Sequence, residues 1–453
     1  MYDPDKDTLL GYGYRIDPAR PHIVTAKPIP IVLPDEYRRG HFWCAGTTRS
    51  GKTRILENMS EQDIRKGYSV VIIDPKGDVD LLGKVVQTAR EVGRLEQMYL
   101  ITPIFPECST TINPLSHYYM TEELVSHVVS GVEVGKEKFF YNVAYEISLV
   151  IIQSLIMTKE LREKDKRRGF TLNDIKNYTS REELIKLRGD VTRLLNQNSM
   201  AAQLIKDMQK IIDSPQDYYA KISSSLRVAL MELTSGNIGR IVGIASGNKF
   251  LEDLEQGKPI ILVAHLGSLI TARAAHTLGK VLLSVIKSFV GRVFSSGRTV
   301  NPPLCIYIDE AQNVMFHGFD DLLAKAGGAN VWVHGFVQTN SQLYAVLGED
   351  LANVILDNTN NKLYLRVPDA ETAEYVSRHF GEGVAVYGAY SPDGAITLRE
   401  DDGVRLIKPH EVLNLAPRQF FYASYGGLFR GYTQDVSPLR VRIEYPRIEA
   451  RVL

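Results

Sequence analysis

Cysteine is scarce in this chain: three residues in 453, Cys44, Cys108 and Cys305, far apart in sequence. That excludes a disulfide framework, and all three read as buried thiols in a reducing compartment. The ten histidines are scattered, with no His-Glu-x-x-His or Cys-x-x-Cys spacing, so no metal site is built on them. Charge of one sign is missing too: 53 basic residues meet 53 acidic ones. A globally basic nucleic-acid binder is excluded, while a locally basic channel stays open. No stretch reaches the roughly 18–20 apolar residues that cross a bilayer. Tyr141–Met157 carries Asn142 and Glu146 and reads as a buried helix; Val281–Phe294 is short and broken by Lys287. No secretory signal opens the chain, so it reads as soluble. Repeats and low-complexity segments are absent. A composition of 44% hydrophobic and 23% charged residues argues for a packed core, not disorder. The length holds two or three domains, or one large domain with an insertion.

Gly46 to Thr53 reads GTTRSGKT, the complete Gly-x-x-x-x-Gly-Lys-Thr phosphate-binding spacing. It follows the apolar run Phe42–Ala45 and leads into a helical stretch, the strand–loop–helix context such a site requires. Gly46 and Gly51 let the backbone curl through Thr47, Thr48, Arg49 and Ser50, so that N–H groups face phosphates. The following helix N-terminus adds partial positive charge. Lys52 reaches the outer phosphates, and the Thr53 hydroxyl is placed for Mg²⁺. ATP or GTP is the expected ligand. A second glycine–lysine segment, GVEVGK (131–136), has its first glycine misplaced and no Ser or Thr after the lysine, and reads as structural.

The first forty residues carry five prolines after position 17 and read as an extended edge segment. Strands are expected at Ser69–Asp78, Met98–Pro103, Pro259–Leu266, Pro303–Ala311 and Val331–Thr339, with an edge strand at Lys362–Val367. From about 118 to 245 strand signals vanish. Helices are expected at Thr121–Glu133, Lys138–Met157, Thr171–Asn177, Arg181–Asn196, Ala201–Ile212 and Pro215–Thr234. The mixed-charge run 162–168 reads as an exposed turn. Strands alternating with helices predict an α/β fold with a mainly parallel central sheet, interrupted by an inserted all-α domain. The expected domains are 1–40, an extended segment; 41–117 with 246–440, the nucleotide-binding domain; 118–245, the helical insertion; and 441–453, a tail.

The apolar strand Leu304–Ile308 ends in Asp309–Glu310. Asp309 suits the Mg²⁺ shell and Glu310 the general base that activates water. The next strand ends at Gln338, where an amide can contact the γ-phosphate or its attacking water. Asp74 ends the second strand, at the edge where open α/β sheets keep ligands.

Taken in order, GTTRSGKT, VVIIDPKGD, INPL, YIDEAQNV and FVQTNSQL resemble the conjugative coupling ATPases of type IV secretion systems, the VirD4/TraG/TraD family. The helical insertion, Val367–Glu382 and Ile407–Tyr432 are similar as well, so the resemblance spans about 40–435. It implies a RecA-like P-loop NTPase that uses ATP and Mg²⁺ and works as a homo-hexamer. Implied partners are single- or double-stranded DNA, a relaxase or secreted effector, and type IV secretion components at the inner membrane. In this chain it implies Lys52 and Thr53 on phosphate and Mg²⁺, Asp309 and Glu310 in hydrolysis, Gln338 as γ-phosphate sensor, and Asp74 and Lys76 near the nucleotide. Two departures stand out. The family's transmembrane anchor is missing, which implies a soluble portion, a soluble variant, or a chain recruited by a separate membrane partner. Its expected place is the cytoplasm, at the inner face of the inner membrane through the missing anchor or that partner. The family's arginine between the Asp–Glu strand and the glutamine is also missing; Lys325, Arg38, Arg39 and Arg366 are the candidate trans-acting cations. Two rival functions share the core motifs: a VirB4- or HerA-like motor, and a low-turnover nucleotide-dependent receptor for secreted proteins.

Overall fold

The computed structural model describes residues 2–19, 27–132, 139–159, 169–196, 198–243, 247–390 and 396–448. The strands in chain order are β1 (Asp7–Ile16), β2 (Ile29–Pro34), β3 (Phe42–Ala45), β4 (Ser69–Asp74), β5 (Met98–Ile101), β6 (Ile261–His265), β7 (Leu304–Ile308), β8 (Val331–Val337), β9 (Asn361–Tyr364), β10 (Glu382–Tyr390), β11 (Ile396–Arg405), β12 (Gln419–Ser424) and β13 (Gly427–Thr433). Eleven of them form one sheet, ordered β2-β1-β13-β12-β9-β3-β8-β7-β4-β6-β5, and β10 and β11 form a separate two-stranded sheet among the described residues. From β9 to β5 every neighbour is parallel; β12, β13, β1 and β2 continue the sheet antiparallel. The expected mainly parallel α/β sheet is therefore present.

The central strands are buried along their whole length, which is why they read as unbroken apolar runs. Alternate residues serve opposite faces. Phe42, Cys44, Val70 and Ile72 join one core with the helices Lys52–Arg65 and Val79–Glu91; Trp43, Ala45, Val71 and Ile73 join the other. That second core continues without a break into the helices between β5 and β6, through Leu124, Val128, Ile147, Ile151 and Leu230. Gly335 of β8 lies opposite Trp43, and a Cβ there would sit 2.5 Å from the indole ring. Glycine is what lets this large side chain lie flat over the neighbouring strand.

Several sequence expectations need correction. The segment around Lys362–Val367 is not an edge strand: β9 lies between β3 and β12, because the chain's last hairpin extends the sheet beyond it. The first residues do more than line an edge: β1 pairs with β13, joining the two ends of the chain in the main sheet. Cys108 is exposed; only Cys44 and Cys305 are buried. Among the described residues one helix, Ser268–Ser295, is long and apolar enough to cross a membrane, with a mean hydropathy of 1.3. Ala275, Leu278, Leu282, Ile286 and Phe289 bury its face in the core. The helices expected between 121 and 234 form close to the expected bounds, at Thr121–Val129, Phe139–Met157, Leu172–Tyr178, Arg181–Thr192, Ala201–Ile212 and Gln216–Thr234. The charged run 162–168 and residues 133–136 of the second glycine–lysine segment lie outside the described residues.

Candidate functional site

Sheet order assembles the site. β8 lies between β3 and β7, so the loops leaving these three strands share one carboxyl edge. That edge is where open α/β sheets hold ligands. The loop after β3 is the glycine-rich segment Gly46–Gly51, running into the helix that starts at Lys52. Gly46 N–H donates to Val337 O at 3.1 Å and Thr47 N–H to Arg366 O at 2.8 Å, which ties the loop to β8 and to the chain beyond β9. The Ser50 hydroxyl and N–H both donate to Thr47 O, at 2.6 and 3.1 Å, and close the curl. Arg49 (φ 65°) and Gly51 (φ 116°) supply its left-handed turns. Among the described residues, the N–H groups of Thr48, Arg49, Gly51, Lys52 and Thr53 have no protein acceptor. This array of free donors at a helix N-terminus fits an anionic phosphate chain.

Lys52 Nζ lies 3.0 Å from Asp309 Oδ1 and 2.7 Å from Glu310 Oε1. Gln338 Nε2 donates to the same Oε1 at 3.1 Å. The structure thus brings together Lys52, Asp309, Glu310 and Gln338, four of the residues that the sequence placed at the nucleotide. Burial works against the Lys52 charge, but the two carboxylates raise its pKa above the ordinary value. Burial likewise pushes Glu310 up; the Lys52 charge and hydrogen bonds from Lys52, Gln312 and Gln338 bring it below the usual carboxylate range. Among the described residues Asp309 Oδ1 is buried without a geometrically satisfied hydrogen bond, 3.0 Å from Lys52 Nζ. An acceptor-only oxygen in that condition suits Mg²⁺.

Asp74 sits beside Asp309, whose N–H donates to Ile73 O at 3.0 Å. Its oxygens accept from Gly77 and Asp78 N–H at 2.9 and 2.5 Å, so it shapes its own loop. Burial, aided by Asp309, raises its pKa to about 6 against those two donors. Lys76 is exposed.

The candidate trans-acting cations separate by burial. Arg38 is fully buried and makes a bidentate pair with Asp63, at 2.6 and 2.5 Å. It is a strut under the sheet and leaves the candidate set. Arg39, Arg366 and Lys325 are exposed, and Lys325 lies 3.5 Å from Asp321. The Arg366 carbonyl contact with Thr47 puts that residue beside its own chain's phosphate loop.

Two neighbours of the site escaped the sequence reading. Gln312 Nε2 donates to Glu310 Oε2 at 3.0 Å. Its signal was present in YIDEAQ, where the glutamine follows the acid by two positions. Arg418, in the left-handed region at φ 73°, donates its N–H to Ser50 O at 2.8 Å. No local pattern marks that contact, which the β12–β13 hairpin brings in from far along the chain.

Residues 303–417 match the family described as the TraM recognition site of TraD and TraG. No curated protein matches the chain. Among solved structures, an unbound form of the bacterial conjugative coupling protein TrwBdeltaN70 superposes with a TM-score of 0.68 at 17% identity, over 96% of each chain. Plasmid coupling protein TrwB in complex with a non-hydrolysable ATP analogue gives 0.64 at 17% identity, over 96% of this chain and 97% of that one. VirB4 of Thermoanaerobacter pseudethanolicus gives 0.54 at 12% identity, over 95% of this chain and 96% of that one. The fold is the RecA-like α/β fold of TrwB. The resemblance to type IV secretion coupling proteins read from the motifs is borne out by the family match together with this fold.

Proposed function

We propose that this chain is the ATP-hydrolysing motor of a conjugation-type secretion machine, a coupling protein that delivers DNA or nucleoprotein to a type IV secretion channel. The observation that carries the reading is the convergence of Lys52, Asp309, Glu310 and Gln338 from three adjacent strand ends. TrwB has been solved with an ATP analogue and with ADP and Mg²⁺, which supports ATP and Mg²⁺ as the ligands here.

In the structure Lys52 is neutralised by two carboxylates. With nucleotide bound, Lys52 exchanges them for the outer phosphates, and the free N–H groups of Thr48, Arg49 and Gly51 cradle the chain. Thr53 and Asp309 would hold Mg²⁺, which when bound offsets negative charge on the phosphates. Glu310, released from Lys52, takes a proton from the attacking water. The water oxygen bonds to the γ-phosphorus, the bond to the bridging oxygen breaks, and ADP and phosphate leave. Gln338 directly follows β8, the strand between the two motifs, and donates to Glu310, a position suited to reporting the γ-phosphate. An exposed cation of a neighbouring subunit in a homo-hexamer completes the site.

The insertion, taken as 118–245, is the proposed contact with DNA or docked substrate, and residues 303–417 the proposed surface for relaxosome partners. The motor works at the cytoplasmic face of the inner membrane, through an anchor outside these residues or a membrane partner. The VirB4-like alternative has the weaker fold match. The test is the ATPase rate with and without single- and double-stranded DNA, with Lys52→Ala as blank. Strong DNA stimulation supports the motor; a near-zero rate indifferent to DNA sinks it and favours a receptor.

A further inference from the structure

Glu310 is gripped through both carboxylate oxygens. Oε1 takes Lys52 Nζ at 2.7 Å and Gln338 Nε2 at 3.1 Å, and Oε2 takes Gln312 Nε2 at 3.0 Å. Gln312 Nε2 also donates to Gln342 Oε1 at 3.3 Å. Gln338 and Gln342 lie on one segment: β8 ends, Thr339 caps the helix Asn340–Leu347 by accepting from Gln342 N–H at 3.2 Å, and Gln342 follows on its first turn. The contacts close a ring from Glu310 to Gln338, along the chain to Gln342, across to Gln312, and back to Glu310.

Gln312 is built into this position. It is 5% exposed and sits in the tight turn Ala311–Asn313. It lines a cavity of about 880 Å³, together with Val129, Tyr141, Phe316 and Leu347. Its own Oε1 is buried and accepts no hydrogen bond among the described residues. A buried acceptor left empty is costly, so the amide orientation is dictated by the donor side, toward Glu310 and Gln342. Glu310 itself is in the left-handed region (φ 44°, ψ 50°), which a residue with a side chain enters only when its surroundings impose it. The direction of its carboxylate therefore depends on these contacts.

We propose that Gln312, anchored by Gln342, is a positioning residue for hydrolysis. It fixes Oε2 of Glu310 so that Oε1 stays on the Gln338 side once Lys52 has moved to the phosphates. It does not touch the reacting atoms. Because Gln338 and Gln342 share one rigid segment, any shift of that segment moves both carboxylate oxygens together. Misplacing a catalytic group by about 1 Å costs on the order of a hundredfold in rate. The inference rests on the reading of Glu310 as general base.

The test is single-turnover and steady-state ATP hydrolysis by the full chain with DNA present, alongside affinity for a fluorescent ADP. The variants are Gln312→Met, which keeps shape and removes the donor, Gln342→Leu, and Glu310→Gln. Gln312→Met is expected to lower kcat about tenfold or more, with KM and ADP affinity within about threefold of the parent. Gln342→Leu moves kcat the same way by a smaller factor. A Gln312→Met rate within about twofold of the parent, while Glu310→Gln abolishes turnover, overturns this inference and leaves the base assignment standing. Loss of ADP affinity in step with rate overturns it too, since Gln312 would then only support the fold. Parent-level turnover by Glu310→Gln removes the reading beneath it, and the inference with it.

Discussion

Arg38→Ala should unfold this protein more readily than any loss at an exposed arginine. Arg38 and Asp63 are both 0% exposed and joined by two hydrogen bonds. Arg38 also donates to His334 at 3.2 Å, to Tyr307 at 3.0 Å and to Thr8 at 3.2 Å, and stacks over Trp332. Removing it leaves the Asp63 carboxylate buried, with the Tyr307 hydroxyl as a remaining donor. Breaking one side of a buried pair costs about 3–5 kcal/mol. Arg39→Ala and Arg366→Ala, at exposed positions, should stay within about 0.5 kcal/mol. Urea unfolding of each variant measures the difference. Arg38→Met with Asp63→Leu should recover much of the loss, because no charge is then orphaned. Acid adds an independent check. Burial pushes Asp63 up, but Arg38 overcomes it and holds the folded pKa at about 2. A carboxyl depressed on folding stabilises above its unfolded pKa, near 3.9, and that contribution disappears as pH falls through about 2. The parent should lose this stability between about pH 4 and 2, and the double variant should not. An Arg38→Ala chain as stable as the parent yet dead in hydrolysis would refute the reasoning and return Arg38 to the set of trans-acting cations.

Three further outcomes follow from the site and the core. Glu310→Gln should bind ATP with parent-like affinity and hydrolyse it about a hundredfold or more slowly; normal turnover would remove Glu310 from its role. Asp309→Asn should weaken nucleotide binding in Mg²⁺ and leave binding in EDTA little changed, as titration with a fluorescent nucleotide would show; equal losses in both conditions would detach Asp309 from the metal. Phe289→Ala, on the buried face of the long helix Ser268–Ser295, should cost about 3–5 kcal/mol of stability in aqueous buffer. An unchanged unfolding midpoint would mean that this apolar helix is not part of the core.

What was legible in the sequence was local or periodic. Gly46–Thr53 states its own conformation through glycine spacing. Strands buried on both faces, such as Val70–Ile73 and Leu304–Ile308, announce themselves as apolar runs. Strand order was not legible, because it depends on contacts between distant segments. β9 looked like an edge since its neighbour β12 arrives more than fifty residues later. The pairing of β1 with β13 had no local signal for the same reason. Arg38 stood beside Arg39 in the sequence as an equal; only folding buried one against Asp63 and exposed the other. Gln312 was visible as a letter but not as a contact, because its partner Gln342 comes from the next strand's helix.

The central claim is that Lys52, Asp309, Glu310 and Gln338 form one hydrolytic site. Single-turnover hydrolysis of radiolabelled ATP in Mg²⁺, with DNA present, tests it most directly when the parent is run beside Lys52→Ala and Glu310→Gln. The parent should release phosphate, Lys52→Ala should fail to bind nucleotide, and Glu310→Gln should hold uncleaved ATP. Phosphate release by Lys52→Ala or Glu310→Gln at the parent's rate would contradict the account.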